Sequence, residues 1–114
     1  MYLVVFVSVA LILIGVATPL VLGRVPPNDL YGLRVPATMQ DEDVWYRANA
    51  SSGRDFILLG LFEIIFAAGL STFVSVDTVA YTVINAGFLV AGVLVTAIVG
   101  WRRANRLLRE RRGL

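Results

Sequence analysis

The chain has 114 residues, of which 58% are hydrophobic and only 16% are charged. A soluble globular domain is usually about 45–50% apolar and about 25% charged, so this composition excludes a disordered chain and argues against a soluble enzyme. The chain contains no cysteine and no histidine, and all ten of its basic residues are arginines. These absences exclude disulfide bonds, thiolate or imidazole catalysis, and zinc sites built from Cys or His. We therefore expect no enzymatic activity, no cofactor and no metal site.

Three stretches are long and apolar enough to cross a lipid bilayer, which requires about 20 residues. Residues 2–22 and 78–100 contain no charge, and residues 56–76 contain only Glu63. No basic residue precedes the first stretch, and its apolar run is longer than that of a secretory signal peptide. The sequence therefore predicts an all-α membrane protein with three transmembrane helices in a single membrane domain, residues 1–114.

The distribution of arginines predicts the orientation. Loop 23–55 carries four arginines and tail 101–114 carries six, whereas the link between the last two spans carries none. With three spans, the loop and the tail lie on one side, which the positive-inside rule makes cytoplasmic. The N-terminus is then outside and the C-terminus inside. Asp77 is placed to cap the third span, and nothing breaks that helix before Gly113. We expect the tail to fix the topology and contact anionic lipid, and we expect no nucleic-acid binding.

Loop 23–55 is predicted to be folded. Three prolines and a glycine in its first part favour a turned, extended path. Thr38 and Asp41 have the spacing of a helix start and predict a short capped helix over residues 39–50, with acidic side chains in its first turn. Its apolar residues fall on two opposite faces, so we expect it to pack between protein surfaces rather than on lipid. Ser52 and Asp55 have the same spacing as Thr38 and Asp41, and they predict the start of the second span.

A dense pattern of turn-forming and polar residues follows the first span. It reads Pro27-Asn28-x-x-Tyr31-Gly32-x-Arg34-x-Pro36-x-Thr38 and continues with an acidic stretch, Trp45, Asn49 and Gly53. This pattern resembles the SdpI family of bacterial membrane proteins, and the chain matches the C-terminal part of the longer founding member. The resemblance implies a multi-pass protein of the bacterial cytoplasmic membrane that gives immunity against a membrane-active peptide toxin. It also implies a second possible role, the tethering of a cytoplasmic regulator to the membrane.

The resemblance makes the loop motif the candidate binding site. Its residues are Asn28, Tyr31, Gly32, Arg34, Pro36, Thr38, Trp45 and Asn49. Gly32 can adopt a positive φ or allow close backbone approach, and Asn28 and Asn49 can bind backbone groups at turns. Arg34 offers a planar guanidinium to a carboxylate, a phosphate or the carbonyls at a helix end. A structural interpretation stays open, in which Arg34 locks the loop by pairing with the acidic residues 41–43 or with lipid phosphate.

Glu63 lies near the middle of the second span, where an ionised carboxylate costs at least about 2.5–3.5 kcal/mol. It must therefore be neutral, hydrogen-bonded or next to water. Asn85 is the other intramembrane polar candidate, and counting along the helices places it nearer the outer face. Ser8, Thr18, Thr96 or a neighbouring subunit are further possible partners. Two interpretations stay open. Glu63 is either a polar contact between helices or a functional site, which binds a proton or a cation or makes a polar contact with a hydrophobic toxin. A proton or polar site of this kind would suit a small structural or transport subunit of a larger membrane complex.

Small residues recur four positions apart on the last two spans. They are Gly92, Thr96 and Gly100 on the third span, and Ala67 and Ser71 on the second. Such faces let helices approach closely in lipid, within one chain or in a homodimer. The expected partners are therefore membrane lipids, a peptide toxin or a cytoplasmic regulator, and a second copy or a larger membrane complex.

Overall fold

The computed structural model describes residues 2–28 and 30–113, and this part of the chain contains four α-helices and no strand. The helices are α1 (Tyr2–Val21), α2 (Pro36–Gln40), α3 (Glu42–Phe73) and α4 (Thr78–Arg111). Three of them, α1, α3 and α4, are long and apolar enough to span a membrane. This confirms the predicted all-α membrane protein with three spanning helices. The ends of the predicted domain, residues 1 and 114, lie outside the described residues.

The predicted short helix 39–50 and the predicted second span 56–76 form one continuous helix, α3. It begins after Asp41, whose side chain accepts a hydrogen bond from the Val44 N–H at 3.2 Å. The expected helix start at residue 39 and the expected new start at Ser52 were therefore wrong. Ser52 is buried inside α3, and the polar residues around it lower the hydropathy without interrupting the helical hydrogen bonds.

α4 begins where the sequence predicted and extends into the arginine-rich tail. The Asp77 side chain accepts a hydrogen bond from the Ala80 N–H at 2.7 Å, which confirms the predicted cap. The helix continues beyond residue 100 to Arg111, as the absence of a helix breaker indicated. The tail is therefore a helical extension of the last span rather than a separate segment.

α3 is the central helix, because it packs against both α1 and α4, whereas α1 and α4 make few contacts with each other. α1 and α3 approach through small residues seven positions apart. A Cβ atom on Gly53 would lie 3.0 Å from the Ala17 carbonyl oxygen, and one on Gly60 would lie 3.0 Å from that of Ala10. Small residues of this kind let two backbones come close where lipid surrounds the helices.

The predicted small-residue face of α4 packs against α3. A Cβ atom on Gly92 would overlap the Leu59 side chain, and one on Gly100 would lie 2.6 Å from Ser52 Oγ. Thr96, between them, is buried and donates a hydrogen bond to the Gly92 carbonyl at 2.7 Å. These contacts use the small residues within one chain.

The predicted small-residue face of α3 does not pack as a unit. Ala67 is buried, but Ser71 is exposed. Three buried small residues of α3 recur every seven positions instead, at Gly53, Gly60 and Ala67. This spacing follows one helical face of α3 across its contact with α1.

A hydrophobic core joins α2, the first turns of α3 and the last turns of α4. Its buried residues are Ala37, Val44, Ala48, Ala104 and Leu107. The molecule is 54 Å long, whereas the hydrocarbon layer is about 30 Å thick, so this end extends beyond the membrane-spanning part. We call these five residues the end cluster.

Ion pairs hold the same end of the molecule together. Arg111 Nε lies 3.3 Å from Asp41 Oδ2 and 3.7 Å from Asp43 Oδ2, and Arg103 lies 3.1 Å from Asp55. The hydrogen bond from Val44 N–H, assisted by Arg111, holds the pKa of the Asp41 carboxyl below its usual value. The loop and the tail are therefore neighbours in space, as the arginine distribution predicted.

The first turns of α3 bury only one of the two apolar faces expected for the short helix. Val44, Trp45 and Ala48 are fully buried, whereas Tyr46 and Ala50 are half-buried. The expectation that this segment packs against protein is confirmed for the first face. The second face does not form an equivalent contact.

Candidate functional site

Two side chains of α3 hold in place the chain between α1 and α3, which we call the loop from here on. Asn49 Oδ1 accepts a hydrogen bond from the Leu33 N–H at 2.6 Å, and its amide group donates to the Trp45 carbonyl at 2.9 Å. Trp45 is fully buried, and its indole N–H donates to the Val25 carbonyl at 2.8 Å. Asn49 and Trp45 are one helical turn apart, so a single face of α3 binds the loop at both Val25 and Leu33.

Gly32 is the point where the loop backbone comes closest to α3. Its φ angle is +108°, which L-residues with a side chain rarely adopt. A Cβ atom here would lie 2.8 Å from Asn49 Oδ1 and 3.1 Å from the Trp45 ring. The position therefore requires glycine for its backbone angle and for its contacts, and the predicted positive φ is confirmed.

Asn28 builds the turn that precedes Gly32. Its side-chain oxygen accepts hydrogen bonds from the N–H groups of Leu30 and Tyr31, at 2.9 and 2.8 Å. Its amide group donates to the carbonyls of Pro26 and Tyr31, at 2.8 and 3.1 Å. The side chain thus replaces the hydrogen bonds that a regular helix or strand would supply to this segment.

Thr38 and Pro36 shape the second half of the loop. Pro36 occupies the first turn of α2, where its missing N–H has no helical partner to lose. The Thr38 hydroxyl lies 2.8 Å from the Leu33 carbonyl and accepts a hydrogen bond from the Val35 N–H at 3.1 Å. Thr38 therefore lies within α2 and binds the chain before it. The sequence-based role of Thr38 as the cap of helix 39–50 was wrong, since Asp41 is the capping residue.

The folded loop covers a cavity of about 380 Å³ between α1, α3 and α4. The Tyr31 hydroxyl donates a hydrogen bond to the Val16 carbonyl of α1, and burial raises the pKa of this hydroxyl. Most of the wall is apolar and includes Leu13, Val16, Leu20, Phe56 and Ala97. Val16 of α1 and Ala97 of α4 line the cavity and are exposed, so the cavity is open between α1 and α4, which make few contacts with each other.

The polar groups of the cavity lie at its loop end. Ser52 is 2% exposed, and its Oγ has no hydrogen-bond partner among the described residues. A buried hydroxyl in that state costs about 1–3 kcal/mol. Arg34 lines the same cavity and is exposed. The cavity therefore combines an apolar wall with a buried hydroxyl and a nearby guanidinium.

The predicted loop residues divide into two groups. Tyr31, Gly32, Arg34 and Asn49 line the cavity, whereas Asn28, Pro36, Thr38 and Trp45 shape the loop behind it. The sequence did not indicate the contributions of Ser52, Phe56, Thr96 or the α1 face. Ser52 carried a signal, but it was interpreted as a helix cap.

A pair of buried polar side chains lies inside the membrane-spanning part of the molecule. Glu63 of α3 and Asn85 of α4 are both 0% exposed. The Tyr81 hydroxyl donates to the Ala67 carbonyl at 3.0 Å, and the Asn85 amide donates to the Tyr81 carbonyl at 2.9 Å. The contacts of Gly92 with Leu59 and of Gly100 with Ser52 define the antiparallel register of α3 and α4. In this register Asn85 lies about one helical turn closer than Glu63 to the link between the two helices, as counting along the helices predicted.

The other partners proposed for Glu63 do not reach it. Ser8 and Thr18 are exposed, and the Thr18 hydroxyl donates to the Ile14 carbonyl of its own helix at 2.7 Å. The Thr96 hydroxyl is similarly occupied within α4. Both carboxyl oxygens of Glu63 and Asn85 Oδ1 lack a hydrogen-bond partner in the described part of the chain. Within the same part, no group of three or more acidic side chains could hold a metal ion.

The loop, the polar pair and the α3 and α4 residues of the cavity fall within a region that matches a known protein family. Residues 24–101 match the SdpI/YfhL protein family, which is more than half of the chain. The chain belongs to the SdpI/YfhL protein family. The matched SdpI/YfhL region contains the whole loop, α3 and most of α4, and α1 precedes it. Neither a curated protein nor a solved structure matches the chain. SdpI/YfhL membership indicates a membrane protein of the immunity type.

Proposed function

We propose that this SdpI/YfhL-family protein is an immunity module of the bacterial cytoplasmic membrane that binds a membrane-active peptide toxin. The observation that carries the proposal is the side-opening cavity of about 380 Å³ beneath the loop. A peptide already inserted in the membrane reaches this opening laterally, between α1 and α4. In this proposal the loop and the arginine-rich end face the cytoplasm, in accordance with the positive-inside rule.

The chemistry of the cavity favours a peptide over a lipid chain. In lipid, association depends on close packing and on hydrogen bonds, because lipid tails are as apolar as leucine side chains. An acyl chain would fill the apolar part of the cavity but would leave Ser52 Oγ without a partner. A peptide supplies N–H and C=O groups to Ser52. Arg34 is suited to a peptide carboxylate, since its guanidinium binds such groups in a forked geometry.

Survival of sensitive bacteria tests this proposal. Cells expressing the protein are challenged with a panel of membrane-active peptides purified from strains that encode it. Ala97→Trp places a large ring in the cavity, and Ala91→Trp places the same ring on an exposed part of α4 that lines a different groove. We expect the wild type and Ala91→Trp to protect, and Ala97→Trp to lose protection at an equal level in the membrane.

A second pair of variants tests the polar end of the cavity. Ser52→Ala removes the unpartnered hydroxyl, and the neighbouring Ser51→Ala removes a hydroxyl that accepts a hydrogen bond from Arg54. We expect only Ser52→Ala to weaken protection. Full protection by Ala97→Trp would rule out the cavity as the binding site. Failure of the wild type to protect against every peptide in the panel would contradict immunity.

An exposed arginine surface favours a second candidate function, the tethering of an acidic cytoplasmic regulator. Arg102, Arg103, Arg106 and Arg109 line a shallow groove on the last turns of α4. Arg102 and Arg109 are exposed and can be replaced by Gln without touching the cavity. Tethering is favoured if the wild type gives no toxin protection but crosslinks to a cytoplasmic protein. The double variant Arg102→Gln/Arg109→Gln should then lose that crosslink.

A further inference from the structure

We propose that Glu63 and Asn85 form a proton-binding site inside the bundle, in which the neutral Glu63 carboxyl donates its hydrogen bond to Asn85 Oδ1. This site is separate from the toxin-binding cavity, because neither residue lines that cavity. It binds one proton per chain, with the proton added to one carboxylate oxygen.

Burial and hydrogen-bond inventory are the first grounds for the proposal. Glu63 and Asn85 are 0% exposed, so neither lipid headgroups nor a neighbouring subunit can reach them. Three oxygens of the pair have no donor in the described part of the chain: both carboxyl oxygens of Glu63 and Asn85 Oδ1. An ionised carboxylate only accepts hydrogen bonds, as does an amide oxygen. The ionised pair would therefore leave three buried acceptors without a donor, which is costly in an apolar environment.

The nearby donors do not bind the Glu63 carboxyl oxygens, which have no hydrogen-bond partner in the described part of the chain. The Tyr81 hydroxyl donates to the Ala67 carbonyl, and the Asn85 amide group donates to the Tyr81 carbonyl. The helix register places Asn85 about one helical turn from the level of Glu63, and its oxygen is the unpartnered atom. The donor that this pair lacks is therefore supplied by a proton on Glu63 itself, since a protonated carboxyl group has one O–H donor.

No positive charge faces Glu63 from the helices packed against it. α4 contributes Tyr81, whose hydroxyl donates to the Ala67 carbonyl, one helical turn along α3 from Glu63. The described part of α1 contains no acidic or basic side chain, and its ionisable Tyr2 lies at the helix start. On α3, the nearest acid toward the loop is Asp55, which pairs with Arg103. In the absence of a counter-ion, a proton is the group that neutralises Glu63.

Infrared spectroscopy of the full-length protein in vesicles of phosphatidylethanolamine and phosphatidylglycerol tests this site. We expect the wild type to show the carbonyl band of a protonated carboxyl group at neutral pH. The band should disappear in Glu63→Gln, and its frequency should change in Asn85→Leu. Asp55→Asn removes a carboxyl group outside this site and is the matched control, which should keep the wild-type band.

Each other outcome overturns the proposal. If the wild type shows only carboxylate bands at neutral pH, Glu63 does not hold a proton. If the band persists in Glu63→Gln, another group carries it. If the Asn85→Leu band keeps the wild-type frequency, the proton is not shared with Asn85.

A stability measurement keeps the test decisive if Asn85→Leu fails to insert. The amide N–H of Gln can donate to the same Asn85 oxygen, so Glu63→Gln should unfold at the wild-type temperature at neutral pH. Alkaline pH should destabilise the wild type, because removing the proton leaves a buried charge, and should affect Glu63→Gln less. Tyrosines ionise in both proteins, so the difference between them isolates Glu63. Identical alkaline losses would contradict the proposal. None of these readouts involves a toxin.

Discussion

Asn49 connects the membrane-spanning part of the molecule to its loop. Its side chain is 1% exposed, and it uses both its oxygen and its amide group, one toward the loop and one toward α3. Trp45 and Gly32 complete this contact, since the loop backbone rests on the indole ring. The shape of the cavity beneath the loop therefore depends on side chains that do not need to touch a ligand.

Replacing Asn49 should loosen the loop. Asn49→Leu keeps the size of the side chain but leaves the Leu33 N–H without a partner, which costs about 1–3 kcal/mol. We expect a lower unfolding temperature in detergent micelles and faster proteolytic cleavage within the loop. Asn105→Leu, at a half-buried position of α4, is the control and should retain the wild-type behaviour. Equal cleavage rates for wild type and Asn49→Leu would show that Asn49 does not anchor the loop.

The sequence identified Gly32, Trp45 and Asn49 as important residues but did not show which groups they contact. The special backbone angle of Gly32 was predictable, because the surrounding turn residues leave few other uses for glycine. The motif predicts Asn49 and Trp45 as binding residues, and Asn49 is also expected to bind backbone groups at a turn, which the structure confirms. Their actual partners are the backbone groups of Leu33 and Val25. Every residue has such backbone groups, so a sequence pattern cannot show which of them a side chain will reach.

At the scale of the elements, α3 differs most from the sequence-based prediction. Ser52 and Asp55 have the residue types of a helix start, and the hydropathy falls around them, so the sequence indicated two helices. The 32 residues of α3 are nevertheless continuous, at a length of about 48 Å. Ser52 instead packs against Gly100 of α4. These two residues are distant in sequence, so the sequence around Ser52 does not reveal the contact. By contrast, the Asp77 cap was predictable because its partner lies three residues away.

Two glycines of α3 provide a matched test of its packing. A Cβ atom on Gly60 would lie 2.6 Å from Ile14 Cγ1 and 3.0 Å from the Ala10 carbonyl oxygen, whereas one on Gly69 would have no neighbour within 4 Å. Overpacking of this kind usually costs about 1–3 kcal/mol. We therefore expect Gly60→Ala to lower the unfolding temperature.

Gly69→Ala should leave the unfolding temperature unchanged or raise it, because alanine favours a helix by up to about 1 kcal/mol over glycine. Thermal unfolding of both variants in the same micelles makes the comparison. A Gly60→Ala protein as stable as Gly69→Ala would contradict the close approach of α1 and α3.

At the scale of the whole molecule, one end differs chemically from the other. The end formed by the loop and the last turns of α4 carries all ten arginines, and the opposite end carries the short link between α3 and α4. This asymmetry was predictable, because it requires only the number of spans and the positions of the charges. The end cluster was not predictable as a core, since Ala104 and Leu107 stand among arginines in the sequence.

Single cysteines can determine the orientation, because the chain has none of its own. Ser75→Cys lies in the exposed link, and Leu30→Cys lies in the loop, where Leu30 is 94% exposed. A membrane-impermeant maleimide added to intact cells should label only Ser75→Cys, and Leu30→Cys should react after the cells are opened. The reverse pattern would place the arginine-rich end outside.

The composition of the end cluster has a consequence for biosynthesis. Val44 and Ala48 leave the ribosome about 60 residues before Ala104 and Leu107, which complete their packing. At about 5–20 residues per second, the interval lasts several seconds. During that interval α3 has no α4 beside it, and the apolar face of its first turns is uncovered. The end cluster is therefore completed only after the last span has been synthesised, which makes its packing a late step of assembly.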